Sequence, residues 1–164
     1  MSIVYYTFII FFFSKILLLD YIEYSIYDRD ILISLVIIFA YNLYTGNFIP
    51  CIIGLGFGAA VGLLQFILGY LIYKSEAYGS GDVFLLAVIG AFLGNTNFIG
   101  YFFFVHLLLG LVLLIALLIN PSCKNKAIPL APFYIIGIPL FILMGKPSFY
   151  EQLKFLISLP TKVW

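Results

Sequence analysis

The chain reads as six long apolar runs separated by short polar connections. The runs fall at about residues 2–19, 30–44, 48–73, 82–94, 98–119 and 129–145. Runs of this length and apolarity predict membrane-crossing helices. The second and fourth are short for a crossing and gain length from flanking turns or local thinning of the bilayer. The expected fold is therefore all-α, a polytopic membrane protein with about six transmembrane helices. Residues 1–146 form one membrane-embedded domain, and residues 147–164, too short to span again, form a C-terminal interfacial tail.

Composition leads to the same class. Of 164 residues, 65% are hydrophobic, 20% aromatic and 9% charged, with a mean hydropathy of +1.19. A soluble domain carries about 25% charged residues, so soluble, disordered and coiled-coil chains are excluded. A net charge of +1 gives no basic face for nucleic acid. Cys51 and Cys123 lie far apart, outside any CxxC pair and distant from the lone His106. Four N or S ligands for a structural zinc are not available, and no metal or cofactor is expected. The alternating topology puts the two thiols at opposite membrane faces, as packing residues.

The first run lacks the basic start and small-x-small site of a cleavable signal. Its only charge, Lys15, lies near its C-terminal end, which predicts that this end faces the cytoplasm. Alternation then gives three cytoplasmic connections, at 20–30, 74–82 and 120–128. They hold Arg29, Lys74, Lys124 and Lys126, while the short external loops near 45–48 and 95–97 hold no Lys or Arg. Lys146, Lys154 and Lys162 fall outside and are exceptions. Gly54, Gly58 and Gly62 recur every four residues and predict close helix packing within the molecule. His106, inside the fifth run, is expected to be a neutral histidine bonded to a neighbouring helix.

The acids are grouped. Asp20, Glu23, Asp28 and Asp30 follow the first run, Glu76 and Asp82 precede the fourth, and Glu151 lies elsewhere. Two crossings separate Asp20 from Asp82, so both belong at one membrane face. Each sits where a loop meets an apolar run, where a carboxyl group partly removed from water keeps its proton more readily. Two such groups brought together share one proton: one takes a proton from water while the other polarises a carbonyl. The alternative is that these are ordinary solvated loop acids. Gly79-Ser80-Gly81-Asp82 opens directly into the fourth run. The glycines predict a tight turn with positive φ, and Asp82 is set at a helix N-terminus.

These blocks together resemble the type IV prepilin leader peptidases and the archaeal preflagellin peptidases, intramembrane aspartic proteases of the GxGD type. The family's Asp-x5-Ile-Pro-Asp reads here Asp20-Tyr-Ile-Glu-Tyr-Ser-Ile26-Tyr27-Asp28, and its GxGD block reads Gly79-Ser80-Gly81-Asp82 with Leu85-Leu86-Ala87. Ile89-Gly90-Ala91 and Leu93-Gly94 continue that block, and the family's Ile-Pro-Phe-Gly-Pro appears as Ile128-Pro129-Leu130-Ala131-Pro132. The resemblance covers roughly residues 15–145. It implies that Asp20 and Asp82 are the catalytic pair, with Gly79, Gly81 and Asp28 in the active-site loops. It further implies a multi-pass protein of the prokaryotic cytoplasmic membrane, with its site facing the cytoplasm.

The implied substrate is a prepilin or pilin-like precursor, whose short basic leader is followed by an apolar helix. Tyr27 stands in place of proline, Phe84 in place of a frequent lysine, and Leu130-Ala131 in place of Phe-Gly. The cytoplasmic insertion with two CxxC pairs, linked to N-methylation in the long enzymes, is missing, so the resemblance implies leader cleavage and leaves N-methylation open. Glu23, Asp30 and Glu76 add negative charge to this face and are expected to attract the basic leader. Presenilin-type enzymes share GxGD but need more spans than this length supplies. A reading from another class is a non-catalytic transporter subunit or scaffold whose carboxylates bind a cation. It leaves the joint occurrence of the three blocks unexplained.

Overall fold

The computed structural model describes residues 2–73, 79–119 and 128–145. Among them the chain is helical, in five elements: α1 (Ser2–Glu23), α2 (Asp28–Thr45), α3 (Phe48–Tyr73), α4 (Ser80–Ile119) and α5 (Ala131–Leu143). Lys74, Glu76, Cys123, Lys124, Lys126, Lys146 and the 147–164 tail lie outside the described residues.

Three helices are long and apolar enough to cross a membrane, Ile3–Glu23, Phe48–Ile72 and Ser80–Ile119. The expected six crossings are not established by length. α2 begins with Asp28, Arg29 and Asp30, and α5 has 13 residues, about 20 Å against a hydrocarbon core of about 30 Å. The outer surface is nevertheless apolar: Phe11 is 62%, Leu71 66% and Leu118 76% exposed. A water-exposed monomer does not carry so continuous an apolar coat.

The fourth and fifth expected runs form one continuous assignment, α4, broken at Gly94. That residue has φ 73° and ψ 166°, outside the helical region, a conformation open to glycine at little cost. Asn97 donates its side-chain N–H to the Leu93 carbonyl at 3.1 Å, occupying an acceptor beside the break. Contacts along α3 reveal the path. Val83 lies against Gly62, Leu86 against Gly58 and Gly90 against Gly54, so the first half of α4 runs antiparallel to α3. Beyond Gly94 the chain turns back, since His106 meets Gln65.

The glycine ladder explains why α3 and α4 pack so closely. A Cβ on Gly54 would sit 2.1 Å from the Gly90 oxygen, and one on Gly58 would sit 2.2 Å from the Leu86 oxygen. Here the small residues do what the four-residue spacing predicts, within one molecule. α1 and α2 are also antiparallel: the rings of Tyr5 and Tyr41 stack at 3.8 Å, and Lys15 meets Asp30. α5 lies against the second half of α4, where the Tyr101 hydroxyl donates to the Tyr134 carbonyl and Gly137 faces Val105. The bundle thus gathers the end of α1 and the starts of α2, α4 and α5 at one end.

Candidate active site

Asp20 lies in the last turn of α1. The helix ends at Glu23 because Tyr24 adopts φ 52°, and the Tyr24 N–H closes the turn on the Asp20 carbonyl at 3.0 Å. A left-handed conformation costs a non-glycine residue about 1 kcal/mol, so this ending depends on the surrounding packing. The Asp20 side chain points inward and is buried. Its Oδ2 accepts a hydrogen bond from the Ala131 backbone N–H at 3.0 Å. Ala131 is the first residue of α5, whose unpaired N–H groups favour an anion. Because the contact is to backbone, replacing the family's Phe-Gly by Leu130-Ala131 leaves the donor in place.

Asp82 is the third residue of α4. Its N–H donates to the Gly79 carbonyl at 3.1 Å, and its carboxyl takes a bond from the Gly79 backbone and lies close enough to Asp20 to interact electrostatically. Its Oδ1 is buried without a hydrogen-bond partner among the described residues. The structure therefore places the carboxyls of Asp20 and Asp82 within electrostatic range of each other at one end of the bundle.

Gly79 and Gly81 precede this acid, and for Gly81 the reason differs from the expected one. The positive-φ glycines among the described residues are Gly46, Gly94 and Gly145. Gly81 is small because a Cβ there would meet the Ile26 side chain at 2.9 Å. A Cβ on Gly79 would stand 3.2 Å from Asp82 Oδ2. Close approach to Ile26 requires Gly81 to lack a Cβ, and it joins the start of α4 to the loop after α1.

The other expected site residues separate. Asp28 is exposed at the start of α2 and, with Ile31, Leu32 and Phe84, lines a groove of about 230 Å³. Glu23 is exposed and accepts a hydrogen bond from the Tyr27 hydroxyl at 2.8 Å. Tyr27 itself has φ −83°, which proline also adopts, so the exchange of proline for tyrosine preserves the backbone path. Asp30 does not lie on an exposed rim. It is 1% exposed, and its Oδ1 is held by Lys15 Nζ at 2.7 Å, so its charge is already met. Glu76 lies outside the described residues.

His106 has the neighbour that its position predicts. Its Nδ1 donates to the Phe102 carbonyl at 2.8 Å and its Nε2 accepts from Gln65 Nε2 at 2.6 Å, the neutral tautomer serving both bonds. Among the described residues no group of three His, Cys, Asp or Glu could hold a metal ion. A cavity of about 400 Å³, lined by Tyr5, Tyr41, Asn42 and Thr96 among others, opens at the opposite end of the bundle.

Two elements of the site escape the sequence reading. The Ala131 amide carries no side-chain signal, although the proline-flanked block around it does mark a helix start. The Lys15–Asp30 pair was legible in principle, because a cation inside an apolar run needs a partner. Reading Lys15 as a marker of orientation missed it.

No curated protein and no solved structure matches the chain. A family model described as the type IV leader peptidase family matches residues 6–119, a stretch that includes Asp20, Asp82 and both halves of α4. With most of its length matched, the chain belongs to the type IV leader peptidase family.

Proposed function

We propose that the protein is an intramembrane aspartic endopeptidase that removes the short basic leader from a prepilin or pilin-like precursor. Asp20 and Asp82 are its catalytic pair, and a water activated between them attacks the scissile carbonyl. The observation that supports this reading is the placement of the buried Asp20 carboxyl and the half-buried Asp82 carboxyl within electrostatic range at one end of the bundle, both inside the matched region. That end faces the cytoplasm of a prokaryotic cell in the proposed topology. The substrate helix enters laterally from the bilayer, and the chain crosses six times, counting the halves of α4 separately. The transporter-subunit alternative finds no support in the family match.

The test is a cleavage assay in membranes, with a pilin-like precursor from the same genome as substrate. Wild-type protein is expected to yield a shortened product, and Asp20→Asn and Asp82→Asn each to yield none. Cleavage that survives in either variant rejects the dyad. Absence of any cleavage by folded, inserted wild type rejects the peptidase reading.

A further inference from the structure

The two carboxyls of the site are not equivalent. Each is served by one helix N-terminus: Asp20 by the Ala131 N–H at the start of α5, Asp82 by its place in the first turn of α4 and the Gly79 backbone. Such a terminus favours an anion, and here the two contributions offset each other. What differs is the remaining oxygen atoms. Asp82 Oδ1 is buried with no partner among the described residues, and neither Asp20 oxygen is in that condition.

A buried acceptor without a donor is destabilising, more so when it is charged. The same atom carrying a proton becomes a donor for a neighbouring carboxylate. Counter-charge does not reverse this preference. Among the described residues, the ion pairs of Lys15 and Arg29 go to Asp30, and neither Asp20 nor Asp82 has a cationic partner. Asp30 makes the contrast: its Oδ2 also lacks a donor, but Lys15 Nζ stands 2.7 Å from its Oδ1 as a counter-charge.

We infer that the pair is asymmetric before substrate arrives: Asp82 carries the shared proton on Oδ1, and Asp20 is the carboxylate, held so by the Ala131 amide. The inference deepens the peptidase reading by assigning the two roles. Asp20 Oδ2 is engaged by Ala131, so Asp20 Oδ1 takes the proton from water as the water oxygen bonds to the carbonyl carbon. Asp82 Oδ1 gives its proton to the carbonyl oxygen, and a neutral gem-diol results. The proton on Asp20 then passes to the amide nitrogen as the C–N bond breaks. A gem-diol hydroxyl returns its proton to Asp82, which restores the starting pair. Ala131 is a positioning residue in this scheme, acting through its backbone alone.

The experiment is carbon-13 NMR of the side-chain carboxyls in the full chain, labelled at aspartate and held in lipid nanodiscs at neutral pH. The chain has four aspartates, Asp20, Asp28, Asp30 and Asp82, so each can be read separately. The expected result is a protonated Asp82 and an ionised Asp20. The reverse assignment, or two ionised carboxyls, overturns the inference.

Ala131→Pro removes the N–H at the first position of α5, where no bond within the helix is lost with it. It is expected to move Asp20 toward the protonated and Asp82 toward the ionised position, while Ala131→Gly leaves both unchanged. Unmoved resonances in the folded proline variant reject the role of Ala131. If that variant does not fold, the wild-type assignment still decides where the proton lies. No substrate is involved, so a failure to cleave leaders would reject the peptidase reading without touching this result.

Discussion

Two buried aspartates near the same end of the bundle, Asp30 and Asp20, have opposite surroundings. Asp30 faces a cation, with Lys15 Nζ at 2.7 Å and Arg29 Nε at 4.0 Å. Asp20 faces a backbone amide on one side and a second carboxyl on the other. The first arrangement is electrically closed and joins α1 to α2. The second has, among the described residues, no cation beside it, and a group in that condition is ready to exchange protons with a bound water. Burial alone therefore does not mark a reactive acid. What marks it is burial without a counter-charge.

The sharpest separation between the two sites is expected from asparagine at each. Asp20→Asn or Asp82→Asn should lower leader cleavage by about a thousandfold or more, since each removes one proton-transfer group. The thermal midpoint in micelles should stay level or rise, because each change removes a carboxyl held away from water with no cation beside it among the described residues. A large fall in that midpoint would show the pair to be structural.

Lys15→Met should do the reverse. It leaves the buried Asp30 with only the distant, exposed Arg29 at 4.0 Å, at a cost of about 3 kcal/mol in detergent denaturation. That figure is taken at the low end because Lys15 is partly solvated. Replacing both partners, Lys15→Met with Asp30→Leu, should recover most of the loss, since a buried pair is replaceable by apolar packing. If the double variant is as unstable as the single, the pair does more than balance charge.

Gly58→Ala tests the seam that carries Asp82. The new Cβ would stand 2.2 Å from the Leu86 carbonyl oxygen, so α3 and α4 must part, at about 1–3 kcal/mol. Cleavage should fall severalfold with KM little changed, as Asp82 moves away from Asp20. Unchanged stability would mean that the helices part freely. The smallest effect is expected at the exposed Glu23. Glu23→Gln should raise KM for a basic leader by about twofold, as an exposed charge is worth about 0.4 kcal/mol. Equal changes for basic and neutral leaders would reject its part in attraction.

Much of this was legible along the chain. Apolar runs of 48–73 and 98–119 marked helices because lipid-exposed backbone must satisfy its own hydrogen bonds, and α3 runs Phe48–Tyr73 as read. The spacing of Gly54, Gly58 and Gly62 marked a close contact because a missing Cβ is a local property. The reach of Asp20 and Asp82 to one end followed from counting crossings. Their neighbours did not follow. Asp30 looked like Glu23 in the sequence, two loop acids of equal standing, and only the packing of α1 on α2 gave one a lysine and left the other exposed.

What the sequence by itself determined is the chemical inventory and its order: apolar helices, small residues at fixed intervals, carboxyls at their ends. The tertiary structure decided which groups meet. Asp20 and Ala131 lie 111 positions apart, and Asp20 and Asp82 are separated by two whole helices. No local rule fixes such distances. They depend on how closely the glycine seam lets α3 and α4 approach and on the reversal at Gly94, each a property of backbones in contact.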